Sequence, residues 1–442
     1  MEELARESIS LLSRPALDTG SPNLSTFGAV FITLKSALGA GLLNFPWAFS
    51  KAGGIYSAVT VELVSLIFLI SGLVILGYAS SISKQSTYQG VVKEVCSPAL
   101  GKLCEICFLL NLFMISVAFL KVIEDQLDKL FDSLNFNETM SGDDMDYPSH
   151  WYTDQRFTLS VVCIVIILPL SIPKEIEFQK YTSILGTLAS CYLAVVVVVK
   201  YYLMNEHPVF QDRHNSSSAS SLASIFSVVP TICFGFQCHE SSIAIYSSMR
   251  NQKLLNWVMT SVVSMLFCLV IYSLTGLYGY LTFGDDVAAD ILMSYPGNDT
   301  VVIIARVLFA VSIITIYPIV LLLGRAVIQE YWIHYKRRYL VITEPYEKFV
   351  RFVLTFLWVL VTLIIAMFVP DISEVISIIG GIGAFFIFIF PGLCLVCAMI
   401  SEPVERKTRV CLIIWGLITI FCGAFIFGQS TTIAVMELLK KI

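Results

Sequence analysis

Long apolar runs, repeated along nearly the whole chain, constrain this sequence more than any other feature. A membrane-crossing helix needs about 20 mostly apolar residues. Soluble domains carry roughly 25% charged residues, whereas this chain has 14%, with 57% hydrophobic residues. The sequence therefore predicts an all-α polytopic membrane protein. About 11 spans are expected, at residues 25–51, 56–82, 103–123, 157–173, 181–203, 222–246, 255–282, 301–332, 349–369, 375–399 and 410–436.

The distribution of basic residues predicts the orientation of these spans. Cytosolic loops of membrane proteins are enriched in lysine and arginine. With the N-terminus inside, the basic clusters around 84–102, 250–253, 336–351 and 406–409 all become cytosolic. This favours an N-in, C-out topology. The same topology places three glycosylation sequons outside, at Asn137, Asn215 and Asn298.

The first apolar run contains a stretch that a continuous helix would avoid, Leu38 to Pro46. Gly39 and Gly41 lower helix stability there, and Pro46 removes a backbone donor. Backbone groups freed inside a membrane must be satisfied by protein or by a polar cavity. The sequence thus predicts a broken first span. Its half-helix ends suit an amino acid, with amides for the carboxylate and carbonyls for the ammonium and a cation.

A second interruption is predicted five spans later. Pro230, Gly235 and several polar residues up to His239 interrupt the sixth apolar run. Interruptions in corresponding segments of two halves point to the binding site of a secondary transporter. The competing interpretation is a pair of kinked packing helices without a ligand.

Several motifs resemble one known family, the sodium-coupled neutral amino acid transporters of the amino acid/auxin permease group. The resemblance extends from about residue 26 to 436. Its motifs are Gly39-Ala40-Gly41-Leu42-Leu43-Asn44-Phe45-Pro46, Thr231-Ile232-Cys233-Phe234-Gly235-Phe236-Gln237-Cys238-His239, Tyr317-Pro318, Phe178-Gln179-Lys180-Tyr181, Phe283-Gly284 and Phe425-Ile426-Phe427-Gly428-Gln429.

The resemblance implies a LeuT-type fold with a 5+5 inverted repeat and broken helices 1 and 6. Repeat one would cover about 25–203, repeat two about 222–399, and an extra helix about 410–436, between tails at 1–24 and 437–442. Members of the family transport small neutral amino acids, glutamine prominent among them, together with sodium. The implied mechanism is symport by alternating access.

The resemblance also implies a substrate site. Amides of Gly39, Ala40 and Gly41 would hold the substrate carboxylate. The substrate ammonium would donate to carbonyls near Ser36 and Ala37. It would also donate to carbonyls near Thr231, Phe234 and Gly235. On the third span, Asn111 and Ser116 are expected either to line the side-chain pocket or to form interhelical hydrogen bonds.

The expected ion site departs from the family pattern. The family uses first-span backbone, here near Ala37, an asparagine before the glycines and a hydroxyl of the eighth span. Lys35 stands at the asparagine position, while Ser312 and Thr315 supply hydroxyls. A lysine ammonium carries the charge of sodium but cannot ligate it. Three hypotheses stay open: Lys35 replaces the ion, it titrates and couples protons, or it snorkels to the cytosolic edge while sodium binds the other ligands.

The remaining expectations concern function class and location. No nucleophile–base pair, metal cluster or nucleic-acid-binding pattern is visible, so the chain is predicted to be no enzyme, with sodium as the coupling ion and no cofactor. Its partners are an amino acid and the lipid bilayer. An amino acid sensor is the rival from another class. The plasma membrane is expected, with an endolysosomal membrane as the alternative because Glu7–Leu12 fits a dileucine signal. Arg306 and Arg325 are expected to snorkel.

Overall fold

The computed structural model describes residues 24–139, 155–173, 179–204, 228–337, 344–369 and 372–441. Within these ranges the regular secondary structure is helical, apart from one isolated bridge between Leu24 and Met249. This agrees with the all-α prediction. The predicted dileucine signal and Asn215 lie outside the described residues.

The helices are numbered in chain order. They are α1 (Thr26–Ala37), α2 (Phe45–Lys51), α3 (Ile55–Ser83), α4 (Tyr88–Val95), α5 (Pro98–Thr139), α6 (Gln155–Val162), α7 (Leu168–Ser171), α8 (Gln179–Leu203), α9 (228–235), α10 (His239–Ser248), α11 (Leu254–Phe283), α12 (Ile291–Ser294), α13 (Thr300–Arg337), α14 (Glu344–Phe368), α15 (Ile372–Ala384), α16 (Phe390–Ser401) and α17 (Arg406–Lys441). Two π-helical turns join neighbouring helices, Cys163–Ile167 between α6 and α7 and Phe385–Ile389 between α15 and α16.

Eight helices of the described chain are long and apolar enough to cross a membrane, and the bent pair at the N-terminal end makes a ninth. The apolar helix at the predicted fourth span is shorter, Arg156–Ser171. The predicted sixth span begins within 205–227, outside the described residues. A multi-pass membrane protein is therefore established, while the count of 11 spans, the orientation and the two repeats stay predictions.

The first span is broken where the sequence predicts. Helix α1 begins behind Ser25, whose hydroxyl accepts from the Gly28 amide (3.1 Å), and ends at Ala37. Gly39 is extended (φ −157°, ψ −152°), and a 3₁₀ turn, Ala40–Asn44, leads into α2. The two helical halves meet at an angle of 51°. We call Leu38–Asn44 the first break.

The sixth span is broken as well. Residues 228–235 are helical, Phe236 lies in a turn, and α10 begins at His239. His239 is fully buried, and its Nε2 lies 2.9 Å from the Leu69 carbonyl oxygen of α3. That contact gives His239 a structural role. We call residues 235–238, from the last residue of α9 to the residue before α10, the second break.

The breaks lie within the main hydrophobic core, where α11 packs against α1, α2, α3 and α8. Helix α5 packs against α13, α14 and α15, and side-chain hydrogen bonds support these contacts. The Trp358 indole donates to Ser116 Oγ (3.1 Å), and the hydroxyls of Tyr317 and Thr362 are 2.7 Å apart. Ser116 thus takes the interhelical role, the second of its two expected roles.

Two arginines of α13 correct a prediction. Arg306 is fully buried and donates to the carbonyls of Leu292 and Tyr295, both at 2.9 Å. Arg325 is 3% exposed and donates to the Ser171 carbonyl (2.8 Å). The expectation that both side chains snorkel is wrong, because carbonyls of neighbouring segments accept hydrogen bonds from each guanidinium within the fold.

The loop between α11 and α13 folds back onto the helices. Asp290 accepts from the Leu292 amide (2.8 Å) and from Gln126 Nε2 (2.6 Å). Burial, reinforced by the charge of Asp125, raises the pKa of Asp290 to about 8. Two predicted glycosylation positions are described: Asn298 is exposed in this loop, and Asn137 lies in the last turn of α5.

Candidate functional site

The two breaks meet backbone to backbone at two glycines. A Cβ placed on Gly41 would lie 2.7 Å from the Cα of Gly235 and 3.2 Å from its amide nitrogen. A Cβ on Gly235 would in turn lie 2.5 Å from the ring of Phe45. Only glycine permits so close an approach. The two interruptions predicted from the sequence are therefore in direct contact in the fold.

Tyr272 of α11 joins the two breaks through its hydroxyl. The hydroxyl oxygen lies 2.7 Å from the Ala37 carbonyl and 2.7 Å from the Gly235 carbonyl. A phenol has one proton, so it donates to one carbonyl at a time. Its ring stacks on Phe45 with centroids 4.2 Å apart and planes 3° apart. The sequence analysis missed this residue, because a tyrosine in an apolar span gives no local signal.

The residues predicted to hold a carboxylate lie along the first break. Gly39 is partly exposed, and a Cβ placed there would meet nothing within 4 Å. Ala40 and Gly41 are buried. The open space beside Gly39 distinguishes it from Gly41, which touches the second break.

Two predicted ammonium ligands lie at the end of α1. Ser36 is exposed, and its hydroxyl is 2.7 Å from that of Ser241 in α10. Ala37 is buried, with its carbonyl beside the Tyr272 hydroxyl. The end of α1 is therefore tied both to α10 and to α11.

On α9, Thr231 and Phe234 are buried beside the first break. Thr231 Oγ1 donates to Asn44 Oδ1 (2.9 Å), and Asn44 Nδ2 donates to the Ala289 carbonyl (2.7 Å). The Phe234 ring approaches to 3.4 Å of a Cβ placed on Gly41. These hydrogen bonds connect α9, the first break and the loop that contains Asp290.

A carboxylate missed by the sequence analysis lies directly after the second break. Glu240 Oε1 accepts from Asn111 Nδ2 of α5 (2.6 Å) and from Gln237 Nε2 (3.0 Å). Asn111 is fully buried, whereas Glu240 and Gln237 are partly exposed. None of the residues predicted for the site is acidic, so Glu240 adds a carboxylate to them. The available signal was its position directly after His239, the last residue of one family motif.

Of the expected ion-site residues, Thr315 and Ser312 are joined by a hydrogen bond within α13, whereas Lys35 lies on a different helix. Lys35 is half-buried in the last turn of α1, and no described carboxylate lies within ion-pair distance of it. Ser312 is buried, with its Oγ 3.1 Å from a Cβ placed on Gly186 of α8. Thr315 Oγ1 donates within its own helix, to the carbonyls of Val311 (3.0 Å) and Ser312 (2.8 Å). Searched across the described residues, no cluster of three or more His, Cys, Asp or Glu could hold a metal ion.

Two membrane helices interrupted at the same level, with their breaks in contact, are characteristic of secondary transporters with a LeuT-like fold. The structure is similar to the crystal structure of MhsT in complex with L-phenylalanine, with a TM-score of 0.56 and 15% sequence identity. The similarity covers 93% of this chain and 100% of that one. The LeuT-like fold implied by the sequence motifs is thereby confirmed.

Sequence comparison identifies the family. Residues 22–436 match the family described as transmembrane amino acid transporter protein. The sodium-coupled neutral amino acid transporter 8 of Xenopus tropicalis is 68% identical over 100% of both chains. Solute carrier family 38 member 8 of Homo sapiens is 60% identical, covering 99% of this chain and 100% of that one. Sodium-coupled neutral amino acid transporter 7 of Danio rerio is 43% identical, covering 98% and 94%.

The chain belongs to this family of amino acid transporters, and within it to the group of sodium-coupled neutral amino acid transporters. The resemblance stated from the motifs is confirmed, and the relatives that are 68% and 60% identical are both named as member 8 of that group. The relatives are transporters and not enzymes, as predicted. The protein is an amino acid transporter embedded in a membrane.

Proposed function

We propose that this protein is a secondary active transporter that moves neutral amino acids such as L-glutamine together with sodium by alternating access. The contact between the two breaks at Gly41 and Gly235 is the observation that carries the proposal. It brings the interrupted ends of two helices to one place, where backbone amides and carbonyls can form hydrogen bonds with a zwitterion.

The proposed substrate site follows from this contact. Amides of Gly39, Ala40 and Gly41 receive the α-carboxylate, and the space beside Gly39 leaves room for it. The carbonyls at the end of α1, near Ser36 and Ala37, accept from the α-ammonium. Carbonyls near Thr231, Phe234 and Gly235 complete this set, and Asn111 lines the side-chain pocket.

The proposed coupling ion is sodium, in agreement with the names of the relatives. Its ligands come from the Ala37 region and from Ser312 and Thr315, while Lys35 reaches away from the site. A second mechanism is favoured by one observation. Lys35 has no anionic partner among the described residues, so its ammonium is available to stand in place of the ion, which would make transport sodium-independent or proton-coupled.

Uptake of radiolabelled L-glutamine into vesicles that contain the purified protein tests both mechanisms. Sodium outside the vesicles is replaced by choline, and wild type is compared with Lys35→Asn and Lys35→Arg. Arginine keeps the charge, whereas asparagine restores the residue type that the family uses. For sodium symport we expect wild-type uptake to fall at least ~10-fold in choline. A tenfold change corresponds to a free-energy difference of about 1.4 kcal/mol.

The opposite outcome is equally clear. If wild-type uptake persists in choline and Lys35→Asn becomes dependent on sodium, Lys35 occupies the ion site and the symport proposal is wrong. If glutamine binds without accumulating in the vesicles, the protein is a sensor rather than a transporter.

We further propose residence in the plasma membrane with the N-terminus in the cytosol, two inverted repeats and glycans at Asn137, Asn215 and Asn298. Exposure of Asn298 in the loop after α11 supports one glycan position. Glycosidase treatment of wild type and of Asn298→Gln, followed by electrophoresis, tests it. Surface biotinylation separates the plasma membrane from an endolysosomal location.

A further inference from the structure

The carboxylate of Glu240 is held in a setting that leaves its charge uncompensated. It is the second residue of α10 and accepts from two neutral amides, Asn111 Nδ2 and Gln237 Nε2. No lysine, arginine or histidine among the described residues forms an ion pair with it. A charge removed from water without a counterion is costly. The helix N-terminus and two amides reduce this cost without supplying the opposite charge.

The same two amides leave acceptors unused. Asn111 Oδ1 and Gln237 Oε1 are both buried without a hydrogen-bond partner in the described structure. A buried acceptor without a donor is destabilising, because it has given up its hydrogen bonds to water. The place therefore combines a carboxylate with two oxygens that lack donors, and all three belong to side chains in direct contact.

A bound cation would balance the charge of Glu240 and would also give the two amide oxygens a partner. An amide group has nearly the same shape after rotation by 180° about its last bond, which exchanges nitrogen and oxygen. The amides that donate to a bare carboxylate can thus turn oxygens toward a positive group resting on it. Oxygen ligands of this kind suit hard inorganic cations and also accept from ammonium groups.

We propose that Glu240, Asn111 and Gln237 form a binding site for a monovalent cationic group. The site lies at the second break and is separate from Lys35, Ser312 and Thr315. Its occupant is either an inorganic sodium ion or the α-ammonium of the amino acid substrate, since both bring one positive charge to oxygen ligands. The inference deepens the proposed function and rests on it, because it gives that function's cation or substrate a second anchor.

Thermal unfolding of the purified full-length protein tests the site without any transport step. Each sample is measured in choline chloride, in sodium chloride at the same ionic strength, and in choline chloride with L-glutamine. A ligand that binds only the folded protein raises the unfolding temperature. The variants are Glu240→Gln, which keeps the shape and removes the charge, and Glu240→Asp, which keeps the charge.

Glu62→Gln is the matched control. Glu62 is another buried carboxylate, 1% exposed, and accepts from Ser273 Oγ of α11 (2.7 Å). The same neutralisation at this position should leave the responses to sodium and glutamine unchanged. It thereby separates a specific cation site from a general effect of removing a buried charge.

For the wild type we expect at least one ligand to raise the unfolding temperature by about 2 °C or more. If Glu240→Gln loses the sodium response, the occupant is the inorganic ion. If it loses only the glutamine response, the occupant is the substrate ammonium. In either case Glu240→Asp should keep part of the response.

The proposed site is wrong if sodium and glutamine raise the unfolding temperature of Glu240→Gln as much as that of the wild type. It is also wrong if neither ligand raises the unfolding temperature of the wild type. Sodium-driven uptake in the wild type decides the proposed function separately. Its absence overturns the symport proposal even if the sodium response still depends on Glu240.

Discussion

The two breaks lie side by side in the fold but differ in the residues that form them. The first break consists of glycine and apolar residues up to Asn44, and its Gly41 fits closely against the backbone of Gly235. The second break carries Gln237 and is followed by Glu240, so polar side chains surround it. Close backbone approach fixes geometry, whereas side-chain hydrogen bonds and charge select what binds. The difference suggests that one break positions the substrate and the other selects for positive charge.

The strongest test of this comparison is Gly41→Ala. Its Cβ would lie 2.7 Å from the Gly235 backbone, which has no flexible end that can move aside. Overpacking of this kind costs about 1–3 kcal/mol, and we expect glutamine uptake to fall at least ~10-fold.

Gly428→Ala is the matched control for that experiment. Gly428 is exposed in α17, away from both breaks, and the same methyl meets nothing within 4 Å there. Uptake within ~2-fold of wild type is expected, measured at equal protein per vesicle. Equal losses in both variants would show that the Gly41–Gly235 contact has no special role.

A smaller effect is expected from Tyr272→Phe, which separates the two breaks while keeping the ring stacked on Phe45. The Ala37 and Gly235 carbonyls would lose their shared donor, at a cost of about 1–3 kcal/mol divided between stability and transport. We expect a lower unfolding temperature and uptake reduced ~5-fold.

Tyr278→Phe provides the comparison on the same helix. Its hydroxyl is 2.9 Å from that of Tyr202 in an exposed pair, so its removal should change stability by less than about 0.5 kcal/mol. If the two variants behave alike, the Tyr272 hydroxyl does not hold the breaks together.

The smallest effect on transport is expected from Asp290→Asn, which concerns the loop that reaches the first break through Ala289. The pKa of Asp290 is raised by burial to about 8, so the folded protein keeps a proton that the unfolded chain has released. The free energy of unfolding therefore falls as pH rises from about 4 to about 8 and levels off above that range. The variant should show a weaker dependence between pH 5 and 8 in thermal unfolding.

Asp299→Asn is the control from the same loop. Burial by itself would raise the pKa of Asp299, but the ion pair with Lys200 outweighs it and the pKa lies below its usual value. This group is ionised in both states between pH 5 and 8, so its replacement should leave the slope unchanged in that interval. An unchanged slope in Asp290→Asn would contradict the role assigned to Asp290.

Much of the fold could be predicted because it depends on local chemistry. Apolar runs of sufficient length predicted most of the described membrane helices within a few residues, although α5 extends to Thr139, far beyond the expected end at 123. The glycines and prolines predicted both interruptions. Family motifs supplied the LeuT-like architecture. The burial of Arg306 could not be predicted in this way, because the carbonyls that accept from it belong to residues 292 and 295, which precede its helix.

The sequence by itself determined that this protein spans a membrane, that two of its spans are interrupted, and to which family of transporters it belongs. Length, apolarity and backbone chemistry are properties of single segments, so they can be read residue by residue. Only the tertiary structure decided that Glu240 meets Asn111, 129 residues away, and that Tyr272 meets Ala37, 235 residues away. Such contacts depend on how each helix is rotated about its axis, and packing against several neighbours at once sets that rotation.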